Sequence, residues 1–190
     1  MSYFTEILTE FPDGYRATDL DVTDHSSLDD LVDVMRGAGE VDGEAVAVIE
    51  HEDEWFALIR LTGDDDVKVF VSDIEAAANS PFADLLVDYL DSPVDEYEPE
   101  EDSYSDTSDA DGAEDVDGDG EPDEGEEDEV SMFVPDPDAE FAGDVDIFAD
   151  RGVPAADLID QVGKYQSDPA RVVAHVGEIV GFADQLEAAR

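Results

Sequence analysis

The sequence lacks cysteine and has few cations. Its 190 residues include eight Lys and Arg against 56 Asp and Glu, which gives a formal charge of −48. Without cysteine there is no disulfide bond, no thiolate nucleophile and no thiolate metal site, and this is compatible with a reducing compartment. So negative a surface repels phosphate and favours a basic partner. We therefore expect a protein partner with a basic surface and no direct binding to nucleic acid.

Long apolar runs are also absent. Residues 45–49, which no apolar run exceeds in length, are far fewer than the roughly 18 residues that a membrane-spanning helix needs. The first ten residues contain Glu6 and no basic residue, which is unlike a signal peptide. We expect a soluble, cytoplasmic protein that makes no contact with a membrane.

The acids are concentrated in one segment. Residues 91–130 contain 21 acids, no Lys or Arg, and almost no aliphatic side chains. Such a segment cannot bury enough apolar area to offset the entropy of ordering it, so we predict an acidic disordered linker over residues 91–140. It would separate a domain at 1–90 from one at 141–190. The second is close to the lower size limit for independent stability, so it would lean on the first domain or on a partner.

The first domain shows strand and helix signals in turn. Residues 2–9 and 15–22 flank a Pro-Asp-Gly turn and indicate a hairpin. Apolar residues at helical spacing follow Ser26 and Ser27, which are capping candidates. Three short-looped strands at 44–50, 55–61 and 67–72 should pair antiparallel, and a helix around 74–90 should follow. The predicted class is α+β, an N-terminal antiparallel sheet with helices.

Residues 141–190 read as a small helical bundle. Pro154 and Pro169 stand where a proline begins a helix, and apolar residues recur at helical spacing after each. A short last helix is predicted over residues 182–189.

Alternation along the three strands assigns side chains to the two faces of the sheet. With Leu61 opposite Val67, Glu50 opposite Trp55 and Ala45 opposite Arg60, one face holds Val46, Val48, Trp55, Ala57, Ile59, Leu61, Val67, Val69 and Val71. The other holds Ala45, Ala47, Ile49, Phe56, Leu58, Arg60, Lys68, Phe70 and Ser72.

The second face pairs two cations, Arg60 and Lys68, and like charges directly opposed require a counter-charge. Either an acidic helix or the acidic tract covers this face, or it is a docking surface for a protein. In the second interpretation Phe56, Arg60, Lys68 and Phe70 bind the partner.

Motifs for catalysis or cofactor binding are weak. Asp115-x-Asp117-x-Asp119-Gly120 with Glu126 fits the spacing of a calcium loop, but half of its neighbours are acids, Pro122 replaces an apolar residue, and no amphipathic helices flank it. We interpret it as a solvated charge run that could at most associate weakly with calcium. The three histidines have no Ser or Cys at nucleophile spacing. We predict no cofactor, no metal and no enzymatic activity.

Two parts of the chain resemble a known family. Glu54-Trp55-Phe56-Ala57-Leu58-Ile59-Arg60-Leu61, Val69-Phe70-Val71-Ser72-Asp73 and Ser80-Pro81-Phe82-Ala83-Asp84-Leu85-Leu86 resemble the core signature of the actinobacterial tRNA adenosine deaminase-associated proteins. Gly152-Val153-Pro154-Ala155 with Leu158, and Gly181-Phe182-Ala183-Asp184-Gln185-Leu186-Glu187, are similar to that family's closing helices. The resemblance implies association with the deaminase that converts adenosine to inosine in a tRNA anticodon. Because the chain has no cysteine, it cannot form that enzyme's zinc site.

These observations predict a non-enzymatic, acidic accessory or adaptor protein with a tRNA adenosine deaminase as the possible partner. The alternative is a nucleic-acid mimic or polyanionic chaperone that binds basic proteins with little selectivity.

Overall fold

Six strands form one antiparallel sheet in the computed structural model of the protein, which describes residues 3–20, 27–38, 43–51, 54–63, 66–90, 141–165 and 168–190. The strands are β1 (Tyr3–Phe11), β2 (Gly14–Asp19), β3 (Ala45–His51), β4 (Trp55–Thr62), β5 (Asp66–Val71) and β6 (Ala142–Gly143). Their order across the sheet is β2-β1-β3-β4-β5-β6.

Within the described ranges, six α-helices and a short 3-10 helix surround the sheet. They are α1 (Leu28–Ala38), α2 (Ile74–Ala78), α3 (Ala83–Leu90), the 3-10 helix Ala149–Arg151, α4 (Ala155–Lys164), α5 (Pro169–Val180) and α6 (Ala183–Ala189). The predicted α+β class is therefore confirmed. None of the helices in these described ranges is long and apolar enough to cross a bilayer.

Local signals set most helix ends. The Ser27 hydroxyl accepts a hydrogen bond from the Asp30 amide at the start of α1, as the capping signal predicts. Asp168 caps α5 in front of Pro169, and Gly181 ends that helix with φ of 105°. The single helix predicted around 74–90 is instead two, because the chain turns between Asn79 and Phe82.

The β4–β5 register is the predicted one, with Leu61 opposite Val67. The predicted β3–β4 register is wrong by one residue. In the structure His51, rather than Glu50, lies opposite Trp55, and Leu61, rather than Arg60, lies opposite Ala45. The connection is three residues long instead of the assumed four, and a shift of one residue moves every side chain of a strand to the other face.

Each face of the sheet is covered by its own hydrophobic core. Ala45, Ala47 and Ile49 join the β4 residues Trp55 and Ile59 beneath α1, α2 and α3. This face of the sheet is called the α1–α3 face. The opposite face packs against residues 147–186 and is called the C-terminal face. Its sheet residues are Leu8, Tyr15, Val46, Val48, Phe56, Leu58 and Phe70.

The chain after residue 140 returns to the sheet through β6. Gly143 lies opposite Phe70 on β5, and Asp144 extends the pairing, because its carboxylate accepts the Val69 amide at 2.9 Å and its own amide donates to the Val69 carbonyl at 2.6 Å. Gly143 has φ of 89°, and a Cβ at this position would lie 2.0 Å from the Val69 carbonyl oxygen. Only glycine fits this close approach.

The helices α4, α5 and α6 pack on one another and on β1, β2, β3 and β4. Residues 141–190 therefore lean on the sheet, which is one of the two options that their small size left open. The domain boundaries at 90 and 141 stay a prediction. The predicted linker at 91–140, with its calcium-like pattern, lies outside the described residues.

Candidate functional site

The structure places the four predicted docking residues on the C-terminal face, as neighbours on β4 and β5. Arg60 lies directly opposite Lys68, and the rings of Phe56 and Phe70 have centroids 5.9 Å apart. Both phenylalanines and Arg60 are buried, because residues 141–190 cover this face. A partner could reach Phe56 and Phe70 only if that cover moved away, so docking there stays an untested prediction.

Arg60 receives its counter-charge from two carboxylates. Its Nε and Nη2 donate to Glu44 Oε2 at 2.8 and 2.6 Å. Its Nη1 donates to Asp150 Oδ1 at 2.5 Å and to the Ile147 carbonyl at 2.6 Å, and Nη2 donates to Asp150 Oδ2 at 2.7 Å. These hydrogen bonds raise the pKa of Arg60 and lower the pKa of Asp150. The buried Arg60 guanidinium, through its hydrogen bonds to Ile147 and Asp150, holds the segment that follows β6 on the sheet.

A second arginine completes the charge cluster. Arg151 donates to both carboxylate oxygens of Glu10, at 3.1 and 2.8 Å, and its Nε and Nη2 donate to Glu44 Oε2 at 3.2 and 3.1 Å. The Tyr15 hydroxyl donates to Glu44 Oε1 at 2.6 Å. Burial raises the pKa of Tyr15, and the Glu44 carboxylate raises it further. The Glu44 carboxylate thus accepts hydrogen bonds from three side chains, those of Tyr15, Arg60 and Arg151. We call this cluster, with Glu10 and Asp150, the clamp.

Lys68 is engaged at the edge of the same face. Its Nζ lies 3.0 Å from Asp146 Oδ2, and both side chains are partly exposed. An acidic segment therefore does pack over the cation pair, but it is the turn and 3-10 helix before α4 rather than a longer helix.

All eight basic side chains lie in described residues, and each has an intramolecular partner. Six lie within 4.0 Å of a carboxylate, and the other two, Lys164 and Arg171, lie over the Tyr165 ring. The six ion pairs are Arg16–Asp13, Arg36–Asp33, Arg60–Glu44, Lys68–Asp146, Arg151–Glu10 and Arg190–Glu50. The carboxylates greatly outnumber these cations, so the charge presented to a partner is negative.

A cleft of about 390 Å³ opens at one end of the sheet on the α1–α3 face. Its walls come from Tyr3 at the start of β1, His51 and Trp55 on either side of the β3–β4 connection, and the α2 segment. Three acidic residues line it: Glu54, Asp73 and Glu75.

Sequence reasoning missed both the clamp and the cleft. The Glu44–Arg60–Asp150 contacts join residues 16 and 90 positions apart, and no local spacing signals them. The available signal was that Arg60 and Lys68, two cations predicted to lie opposite each other, need a counter-charge. That signal did not identify which residues supply it. The cleft joins the ends of β1, β3 and β4 to α2, so it follows only from the packing.

Comparison with known proteins identifies a family that the chain matches. The sequence matches the family described as Rv3753c-like tRNA adenosine deaminase-associated protein over residues 7–183. The chain belongs to this family. The match spans both the sheet and the C-terminal helices, and it confirms the resemblance carried by the β4, β5 and α5–α6 residues. No curated protein and no solved structure is detectably similar to the chain.

The family description links its members, and so this chain, to tRNA adenosine deaminase. The family is named for an association with the deaminase and is not itself described as a deaminase.

Proposed function

We propose that this protein is a non-enzymatic, acidic accessory protein that binds a basic surface of a partner protein, and that the partner is a tRNA adenosine deaminase. It acts in the cytoplasm, where tRNA is modified, and contacts neither nucleic acid nor membrane directly. The family description supports the choice of partner.

The engagement of every basic residue within the chain carries this proposal. A protein that binds the tRNA backbone needs Lys and Arg that displace counterions from phosphates. Here the cations are held by carboxylates of the same chain or by Tyr165, and the net charge is −48. The surface therefore repels RNA and attracts a basic protein.

An enzyme that binds tRNA needs a basic surface, and a polyanion approaches such a surface by electrostatic steering. Binding there would also compete with RNA for the same charges. The expected association is fast at low salt and weakens as ions screen it, because the Debye length falls from about 10 Å at 0.1 M to about 3 Å at 1 M.

The test is a titration of the full chain against the tRNA adenosine deaminase of the same organism by isothermal calorimetry at several salt concentrations. We expect saturable binding whose affinity falls with salt. A variant with the acids of residues 91–130 replaced by Ser and Gly at equal length measures the share of the tract. An absence of binding at low salt contradicts the proposal.

The second candidate is a nucleic-acid mimic or polyanionic chaperone, and the 21 acids in residues 91–130 favour it. A mimic loses most of its binding in the neutral-tract variant and binds unrelated basic proteins, such as lysozyme, equally well. A specific accessory protein keeps its preference for the deaminase in that variant.

A further inference from the structure

The cleft at the end of the sheet combines aromatic walls with an acidic rim. Tyr3 stacks on the His51 ring with centroids 4.4 Å apart, and both Tyr3 and Trp55 pack edge-on against Phe82. Phe82 and Trp55 are buried in the core on the α1–α3 face, so the walls rest on a packed base. Flat aromatic walls of this kind suit a planar ligand.

The rim offers hydrogen-bond acceptors and negative charge. Asp73 caps α2 with one carboxylate oxygen, which accepts the Ala76 amide at 2.9 Å. Glu54 lies beside His51, and Glu75 is exposed, with a side-chain carboxylate that makes no hydrogen bond or ion pair with the described residues. No lysine or arginine lines the cleft in the described part of the chain, so the negative charge of the rim is uncompensated there.

His51 adds a polar group that is not satisfied. Its side chain is only 6% exposed, and Nδ1 lies 2.6 Å from Glu54 Oε2, off the axis of a well-aligned hydrogen bond. Two acceptors this close would repel, so we place a proton on Nδ1, and in the neutral ring this makes Nε2 an acceptor. Nε2 has no hydrogen-bond partner among the described residues. A ligand that donates hydrogen bonds, with a small shift of the ring, would satisfy it.

We propose that this cleft receives an arginine side chain of the partner protein. A guanidinium is planar, always charged and carries five donors, so it can stack on the partly exposed Tyr3 ring while donating to Glu54 and Glu75. Lysine, a compact point charge, would use the acidic rim but not the flat walls. A volume of about 390 Å³ lies within the range of side-chain and small-ligand pockets. This inference rests on the proposed function, since it identifies where a basic partner is held.

The first experiment uses the full chain and Nα-acetyl-arginine amide as the probe, with Nα-acetyl-citrulline amide as its uncharged counterpart. Trp55 is the only tryptophan, so its fluorescence reports on the cleft. We expect a saturable change with the arginine derivative and none with the citrulline derivative. The same response to both derivatives, or no response to either up to the solubility limit, overturns the proposal.

Variants locate the binding. The double substitution Glu54→Gln and Glu75→Gln should weaken the arginine derivative roughly tenfold, because each exposed charge pair contributes about two- to fivefold. The matched control, Glu178→Gln with Glu187→Gln, removes the same charge from exposed positions on α5 and α6 and should leave affinity unchanged. Equal weakening by both pairs would mean general attraction and contradict a specific site. Unchanged circular dichroism confirms that each variant is folded.

Titration with the deaminase separates the two proposals. Reduced affinity in the Glu54→Gln, Glu75→Gln variant, but not in the control, supports the cleft as the contact. Undiminished affinity overturns that role. If the arginine derivative binds and the deaminase does not, the proposed function fails while the guanidinium site stands.

Discussion

Arg60 and Asp150 lie 90 positions apart in the sequence, yet they form a two-pronged pair with N···O distances of 2.5 and 2.7 Å. The pair is asymmetric: the arginine side chain is 5% exposed and the aspartate side chain 61%. It connects β4 with the 3-10 helix that precedes α4, and the acidic tract lies between the two residues in sequence. The partly buried ion pair therefore joins two described segments, one on each side of residues 91–140 in the sequence.

That asymmetry predicts unequal costs for the two partners. Arg60→Gln should lower the free energy of unfolding by about 3 kcal/mol, because it leaves the buried Glu44 with one arginine fewer. Asp150→Asn should cost about 1 kcal/mol or less, since its carboxylate faces solvent. Urea unfolding of both variants checks the order. Equal losses would show that the exposed partner contributes as much as the buried one.

The buried carboxylate of Glu50 forms an ion pair with Arg190. Its side chain is 6% exposed, Arg190 Nη2 donates to its two oxygens at 2.5 and 2.7 Å, and burial raises its pKa although Arg190 acts against the rise. Arg190→Ala should cost about 3 kcal/mol by leaving a buried charge unpaired. Adding Glu50→Gln should recover most of that loss in thermal or urea unfolding. A double variant as unstable as Arg190→Ala would contradict this explanation.

Glu6 should make the fold less stable as pH rises. Its side chain is buried on β1 opposite Asp19 of β2, Oε2 has no partner among the described residues, and burial, with the Asp19 charge, raises its pKa. A carboxyl whose pKa is higher in the folded state lowers stability above that pKa, and the penalty disappears as pH falls below the unfolded value of about 4.3.

Glu6→Gln should therefore raise the free energy of unfolding by roughly 1 kcal/mol at pH 7, and the gain should shrink towards acid pH. Urea unfolding between pH 4 and 7 measures it. Exposed Glu187→Gln is the control. A gain that does not vary with pH would show that the titration of Glu6 is not the cause.

Two glycines should respond to alanine in opposite directions. Gly143→Ala should cost about 2 kcal/mol or more, because its φ is positive and a Cβ would collide with the Val69 carbonyl oxygen. Gly37→Ala should gain about 0.5 to 1 kcal/mol, because no atom of the described residues outside the helix's own backbone and the adjacent residues lies within 4 Å of its Cβ position in α1. Thermal unfolding compares them. A neutral Gly143→Ala would mean that the β5–β6 approach can relax.

Separate fragments test the predicted domain boundaries. We expect residues 141–190 alone to show little helix by circular dichroism, because their apolar side chains are buried against Leu8, Val46, Phe56 and Phe70. Mixing them with residues 1–90 should restore helicity, with burial on the C-terminal face as the driving force. Full helicity in the isolated fragment would support an independent bundle.

Much of the local structure follows from the sequence. The Pro-Asp-Gly turn, the cap at Ser27 and the apolar spacing after Pro154 and Pro169 rest on interactions between residues near in sequence, and the structure contains the hairpin and helices that they predict. The lack of cysteine, the −48 charge and the family resemblance are likewise properties of the sequence itself.

The tertiary structure decided which residues lie opposite one another. A connection one residue shorter than assumed moved Ala45, Ala47 and Ile49 to the other face, and β6 reached β5 only because Gly143 permits the approach. The covering of Phe56 and Phe70, the Arg60–Asp150 pair and the cleft beside His51 arise from segments distant in sequence. Their positions depend on loop length and on the packing of side chains in the cores on the two faces of the sheet. Local periodicity in the sequence determines neither.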